Sequence, residues 1–260
     1  LGGILVIIRL FKSNFFPKKE KVIETEGIEP GMAREELRLK LNHAIANNLD
    51  DTVSIFSTAM TNFLAEDYEE LKKTRLRAQG LLDKISYMRS QYYLMFVRGE
   101  GPSKDYDARN YYYRTFSNMK DVAQDLRNTL SQMEDHLANS HSVFKGVLRS
   151  NLLQALNELT GLEHTLSKYV EAGEISDDIL LRLSDTNLEE VNKFQIVLMK
   201  QIEEHQMPLH RSELYLSILQ LYREIVNRYT VIVLLQRELN FVLSDPDRDN
   251  GAPEYAVEQK

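Results

Sequence analysis

The sequence predicts an all-α protein: six long antiparallel helices packed as a bundle. Three observations predict it. Apolar residues recur at steps of three and four almost without pause from Ala33 to Leu243. No alternating polar–apolar run of strand length competes with them. Only 11 Gly and 6 Pro occur in 260 residues. Steps of three and four line one face of a helix, and sparse Gly and Pro mean few, long elements rather than many short strands.

Each stripe can be read in turn. Leu49, Val53, Phe56, Met60 and Phe63 make the first. Leu71, Ala78, Leu81, Ile85, Met88, Tyr92 and Met95 make the second. Between them Glu66-Asp67 marks a stop, and Asp67 with Glu70 three residues on has the form of a capping box. Gly99 to Ser103, with Pro102, separates the second stripe from the third, which runs from Tyr106 through Phe116, Val122 and Leu130 to Leu137. Asn139-Ser140-His141-Ser142 ends it, with Ser142 the expected N-cap of the fourth. That one runs from Val147 through Leu156 and Leu166 to Tyr169. Ala172-Gly173-Glu174 closes it, and Ser176-Asp177 caps the fifth, Leu181 to Ile202. Pro208 is expected to end the fifth, because it lacks a backbone donor and disfavours helical angles at Met207. The sixth runs from Leu214 to Val242. Short connections between long amphipathic helices force antiparallel neighbours. The pattern also divides evenly, residues 33–138 and 142–243 each reading as helix-turn-helix-turn-helix, so a structural duplication is expected.

The ends differ from this body. Leu1 to Ile8 is an uncharged apolar run, followed at once by Arg9, Lys12, Lys18, Lys19 and Lys21. It is far shorter than the roughly 20 residues a spanning helix needs. Its charges follow the apolar stretch, the reverse of a signal peptide. Residues 1–16 are therefore expected to be the end of a transmembrane helix with a basic collar on the cytoplasmic side, the alternative being a hydrophobic arm or frayed strand. Residues 17–32 read as a linker with Pro30-Gly31, residues 33–243 as the bundle, and 244–260, which lack an apolar stripe, as a disordered tail.

Composition narrows the function. The formal net charge is −7, and no basic stripe lies outside the N-terminal collar, which argues against a nucleic-acid partner. There is no Cys, so disulfides, thiolate metal sites and Cys nucleophiles are excluded. No phosphate-binding glycine loop and no Ser elbow occurs. No acid lies three residues before any of the six His, so the Glu-x-x-His signature of di-iron bundles is absent. The pairs His136/His141 and His205/His210 are five apart and straddle turns, which makes them surface or cap histidines rather than metal ligands. Tyr106, Tyr111, Tyr112, Tyr113 and Phe116 cannot all face inward, so one or two tyrosines should be exposed.

Two three-helix units with acidic patches resemble the PhoU fold. The stretch Phe63-Leu64-Ala65-Glu66-Asp67-Tyr68-Glu69-Glu70-Leu71-Lys72-Lys73 resembles the corner that PhoU-like domains place between their first two helices. Tyr92-Tyr93, Tyr111-Tyr112-Tyr113, His136 to His141 and Glu213 to Leu219 are similar to the PhoU-like cytosolic domains of bacterial inorganic phosphate transporters of the PiT family. The resemblance covers residues 33–243. It implies a regulatory or structural domain, without catalytic chemistry, hanging from the last helix of a phosphate permease at the cytoplasmic face of the cell inner membrane. Its expected partners are that permease, a second copy of the domain, and the membrane surface through the N-terminus.

The resemblance further implies acidic motifs able to gather metal. The first unit offers Asp121-Val122-Ala123-Gln124-Asp125, whose two carboxylates share a helix face and can grip one hard cation. In the second, Glu224-Ile225-Val226-Asn227-Arg228, an Arg replaces the second acid and competes with any metal. The competing reading of these segments is a solvated acidic face and an ordinary i,i+4 ion pair. Two other functional classes remain: a metal-binding helical domain at Asp121 and Asp125, and a helical scaffold of some other membrane protein.

Overall fold

Each apolar stripe becomes a helix in the computed structural model, which describes residues 34–97, 106–172, 177–204 and 208–244. The helices are α1 (Arg34–Leu64), α2 (Tyr68–Val97), α3 (Tyr106–Ala138), α4 (Gly146–Ala172), α5 (Asp177–Glu203) and α6 (Leu209–Ser244). No strand occurs among the described residues, and the fold is all-α as expected. The shortest helices have 27 residues and the longest 36, so α6 spans about 54 Å at 1.5 Å per residue.

The turns show why the helices stop. At the end of α1, Glu66 is left-handed (φ 59°). Its N–H donates to Phe63 O at 3.0 Å, and the Asp67 N–H reaches back to Asn62 O at 2.9 Å. This crossed pair is a Schellman closure. Asp67 then opens α2, its Oδ1 accepting the Glu70 N–H at 3.1 Å, which is the N-cap half of the expected capping box; the reciprocal half does not form, because the Asp67 N–H is taken by Asn62 O and the Glu70 carboxylate by Lys73. The end of α3 repeats the closure. Ser140 is left-handed (φ 57°), its N–H donates to Leu137 O at 2.9 Å, and the His141 N–H donates to His136 O at 3.1 Å.

Two boundaries differ from expectation. Ser142 does not cap α4, which begins at Gly146. Val143 and Phe144 are buried in the segment before it, and Gly146 is left-handed (φ 58°), so the right-handed helix cannot run back through it to Ser142. Pro208 does not terminate α5, which ends at Glu203; it stands just before α6, and its carbonyl accepts the Arg211 and Ser212 N–H groups at 3.1 and 3.2 Å. A residue without an N–H is well placed at a helix start.

Helices α1, α2 and α3 pack on one another, as do α4, α5 and α6. The long contacts of α3 with α6 and of α1 with α4 join the two sets over one hydrophobic core. Helix α2 lies on α1 and α3, and α5 on α4 and α6. Burial follows from this. Helix α6 buries Leu214, Ile218, Leu221, Ile225, Ile232 and Leu239, and also Tyr215, Tyr222, Val226, Tyr229 and Val233, so most of its circumference is covered. Each such apolar side chain contributes roughly 1.5–3 kcal/mol when withdrawn from water. Arg149 of α4 donates to Leu64 O at 3.0 Å, and Gln236 of α6 donates to Val170 O at 3.1 Å. Both satisfy carbonyls at helix ends that no intrahelical donor reaches.

The apolar run Leu1–Ile8, the collar of Arg9, Lys12, Lys18, Lys19 and Lys21, the 17–32 linker and residues 245–260 of the expected tail lie outside the described residues. Among the described residues no helix is long and apolar enough to cross a membrane.

Candidate functional site

The antiparallel seam between α3 and α6 carries the charged residues singled out in the sequence. Spacing by four puts Asp121 and Asp125 on one face of α3, and Glu224 and Arg228 on one face of α6. The bundle turns these two faces toward each other. Arg228 Nη1 donates to Asp121 Oδ2 at 3.0 Å and to Asn118 Oδ1 at 3.2 Å, and its Nε donates to Glu224 Oε2 at 3.0 Å. Glu224 Oε1 accepts from Gln220 Nε2 at 2.8 Å. The expected i,i+4 pair of Glu224 and Arg228 therefore forms. The same guanidinium crosses to Asp121, a contact that sequence reasoning missed because it joins residues far apart in the chain.

Asp125 is different. It accepts no hydrogen bond and makes no ion pair among the described residues. Burial raises its pKa above the usual carboxylate range; Glu224 adds to that, Arg228 opposes it, and Asp121 again adds to it. It opens onto a groove of about 660 Å³ between α3, α5 and α6, lined also by Gln132, Gln195, Gln220, Arg223 and Glu224. Arg223 is committed to the groove wall, donating to Gln195 Oε1 at 2.7 Å and to Asn192. The groove thus offers amides and one unpaired carboxylate. A cation or a neutral hydrogen-bond donor suits it chemically.

The two metal candidates stand apart in this arrangement. Asp121 is held by Arg228, so a cation there must displace a guanidinium, whereas Asp125 is available. Among the described residues no three His, Asp or Glu side chains are arranged to hold a metal ion.

A second cluster lies at the far end of the same seam. The Schellman turn that closes α3 brings His141 back over His136, and His210 arrives from the first turn of α6. Ring centroids are 5.1 Å apart for His136–His141, 5.8 Å for His136–His210 and 4.3 Å for His141–His210. His136 is only 6% exposed and stands in the last turn of α3, so of the surface and cap readings its spacing allowed, the surface one does not hold. Its Nε2 lies 3.2 Å from Ser142 O. Burial lowers its pKa; the Ser142 hydrogen bond opposes this, and His141, His210 and Arg211 lower it further. Inward, His136 meets Phe63 at 5.7 Å, and Phe63 leads to Phe144 and then Tyr215. The signal for the first contact was present in the sequence, since a Schellman turn sets the residue after the turn against one five positions earlier. The third histidine had no such signal.

The tyrosine cluster on α3 divides as helix geometry requires. Tyr112 and Phe116 are buried, while Tyr113 is 53% exposed. Arg89 of α2 covers it, its Cζ 5.0 Å from the ring centroid and its Nη2 donating to the hydroxyl at 3.1 Å. Comparison with protein-family models, with curated proteins and with solved structures gives no match for this chain.

Proposed function

We propose that this chain is the cytosolic regulatory or structural domain of an inorganic phosphate transporter, built as two tandem three-helix units. The observation that carries this reading is the α3·α6 seam. It sets Asp121-x-x-x-Asp125 opposite Glu224-x-x-x-Arg228, as two copies of one acidic motif would face each other across a duplicated bundle. The PhoU-like stretches around Phe63–Lys73, His136–His141 and Glu213–Leu219 support the same reading, as does the packing of α1 to α3 and of α4 to α6 each among themselves. In this reading the domain docks on its own permease or on a second copy at the cytoplasmic face, and changes access to a permeation path that lies elsewhere.

Phosphate uptake by the full transporter and by a version deleted of residues 33–243 tests the proposal. Deletion should change the uptake rate or its feedback by intracellular phosphate. Identical uptake together with identical feedback would reject a regulatory role.

A further inference from the structure

We propose that His136, His141, His210 and Arg211 form a proton-linked binding site for a phosphate-class oxyanion.

Three imidazoles from three segments touch one another, with centroids between 4.3 and 5.8 Å apart. The charged groups acting on His136 are His141, His210 and Arg211, all of one sign. The groups on neighbouring elements supply no counter-charge. From α1 comes the uncharged Phe63 ring. Arg149 of α4 is engaged with the Leu64 carbonyl. Glu134 of α3 is held by Arg75 and Tyr68 of α2. Asp135 of α3 and Glu213 of α6 are exposed, and neither is among the groups that act on His136.

Arg211 adds an independent sign. Its Nη2 donates to Val143 O at 3.2 Å, but its Nε is buried and has no acceptor among the described residues. A buried donor left unmatched is costly, and an oxyanion seated against Arg211 would supply an acceptor. Neutral, the three rings pack against one another at tilts of 37° to 53° without charge repulsion. Protonated, they place like charges in contact beside a guanidinium, an arrangement that needs an anion to be stable. A doubly protonated imidazole carries two donors, and a tetrahedral oxyanion has acceptors in enough directions to meet donors from the α3–α4 turn and from α6 together. A divalent metal is the poorer occupant. Arg211 repels it, and no carboxylate joins the set.

The sign of the proton linkage follows. Folding depresses the His136 pKa, so the unfolded chain takes up more protons near pH 6.5. Without an anion, stability is therefore lost as pH falls through that region. A bound oxyanion favours the protonated rings and offsets the loss.

The test measures the thermal midpoint and the His136 ring signals by NMR, with inorganic phosphate and, separately, with phosphatidic acid vesicles, at pH 6 and pH 8. The expected result is binding about tenfold tighter per pH unit for each linked proton on acidification, with the His136 titration moved to higher pH. His141→Gln/His210→Gln should abolish the response while the fold survives, because both side chains are exposed. A response to the free ion assigns the oxyanion to solution, and a response to vesicles alone assigns it to a lipid headgroup. Either supports the site if the double variant loses it. No response at pH 6, an equal response in the double variant, or stabilisation by zinc at pH 8 without any by phosphate would overturn it.

Discussion

Tyr229 shows how a single residue lets α6 be buried on nearly all sides. The residue is 1% exposed, and its hydroxyl donates to Asn48 Oδ1 at 2.6 Å while lying 2.9 Å from Thr52 Oγ1. Both partners belong to α1. Burial drives the phenol pKa well upward, so the group is a neutral donor at any ordinary pH. Seven residues earlier, Tyr222 does the same toward α5, donating to Asn187 Oδ1 at 2.6 Å. These polar anchors fix register where leucines alone would slide. Tyr229→Phe strands Asn48 and Thr52 without their shared partner inside the core. It should cost about 1–3 kcal/mol of stability, read by chemical denaturation; a loss no larger than that of an exposed Tyr113→Phe control would contradict the anchoring role.

Among the elements, the closures of α1 and α3 bear a strain that the sequence chose to keep. Glu66 and Ser140 both adopt left-handed angles, a conformation glycine takes more readily than either. Glu66 is exposed, so Glu66→Gly should stabilise the protein by about 1 kcal/mol. One residue on, Asp67→Ala removes the N-cap of α2 and should destabilise by about 1 kcal/mol. Opposite shifts in the denaturation midpoint from adjacent substitutions would be the signature, and shifts of the same sign would refute this account of the turn. The same elements show what a sequence can and cannot disclose about boundaries. Asp67 was legible because its cap acts three residues away. The start of α4 was not, because Ser142 has good capping chemistry locally but the left-handed Gly146 separates it from the helix.

At the scale of the whole molecule, the α3·α6 seam is where charge meets packing. Asp121, Asp125 and Glu224 gather there, and Arg228 is the guanidinium bonded to two of the three. Arg228→Met keeps the stem and removes the charge. Without Arg228, burial, Glu224 and Asp121 raise the Asp125 pKa unopposed, and a group whose folded pKa is raised contributes stability at low pH that disappears as pH rises through that pKa. The variant should therefore match the parent near pH 4 and fall about 1 kcal/mol below it at pH 7, with millimolar Mg²⁺ or Ca²⁺ restoring part of the deficit. Denaturation across that pH range checks it. A deficit independent of pH would mean that Arg228 packs rather than neutralises.

What the sequence determined by itself was everything periodic: the all-α class, the six helices, their approximate ends and the inward sides of most of them. Those properties are set by residues three, four or seven apart, which a helix brings together whatever the rest of the chain does. Only the tertiary structure decided which helices would meet. It placed Arg228 across Asp121, left Asp125 facing the groove, and carried His210 to His136 and His141. Each of these contacts joins residues about seventy or more positions apart, and local chemistry contains no information about such a meeting until packing of the common core fixes it.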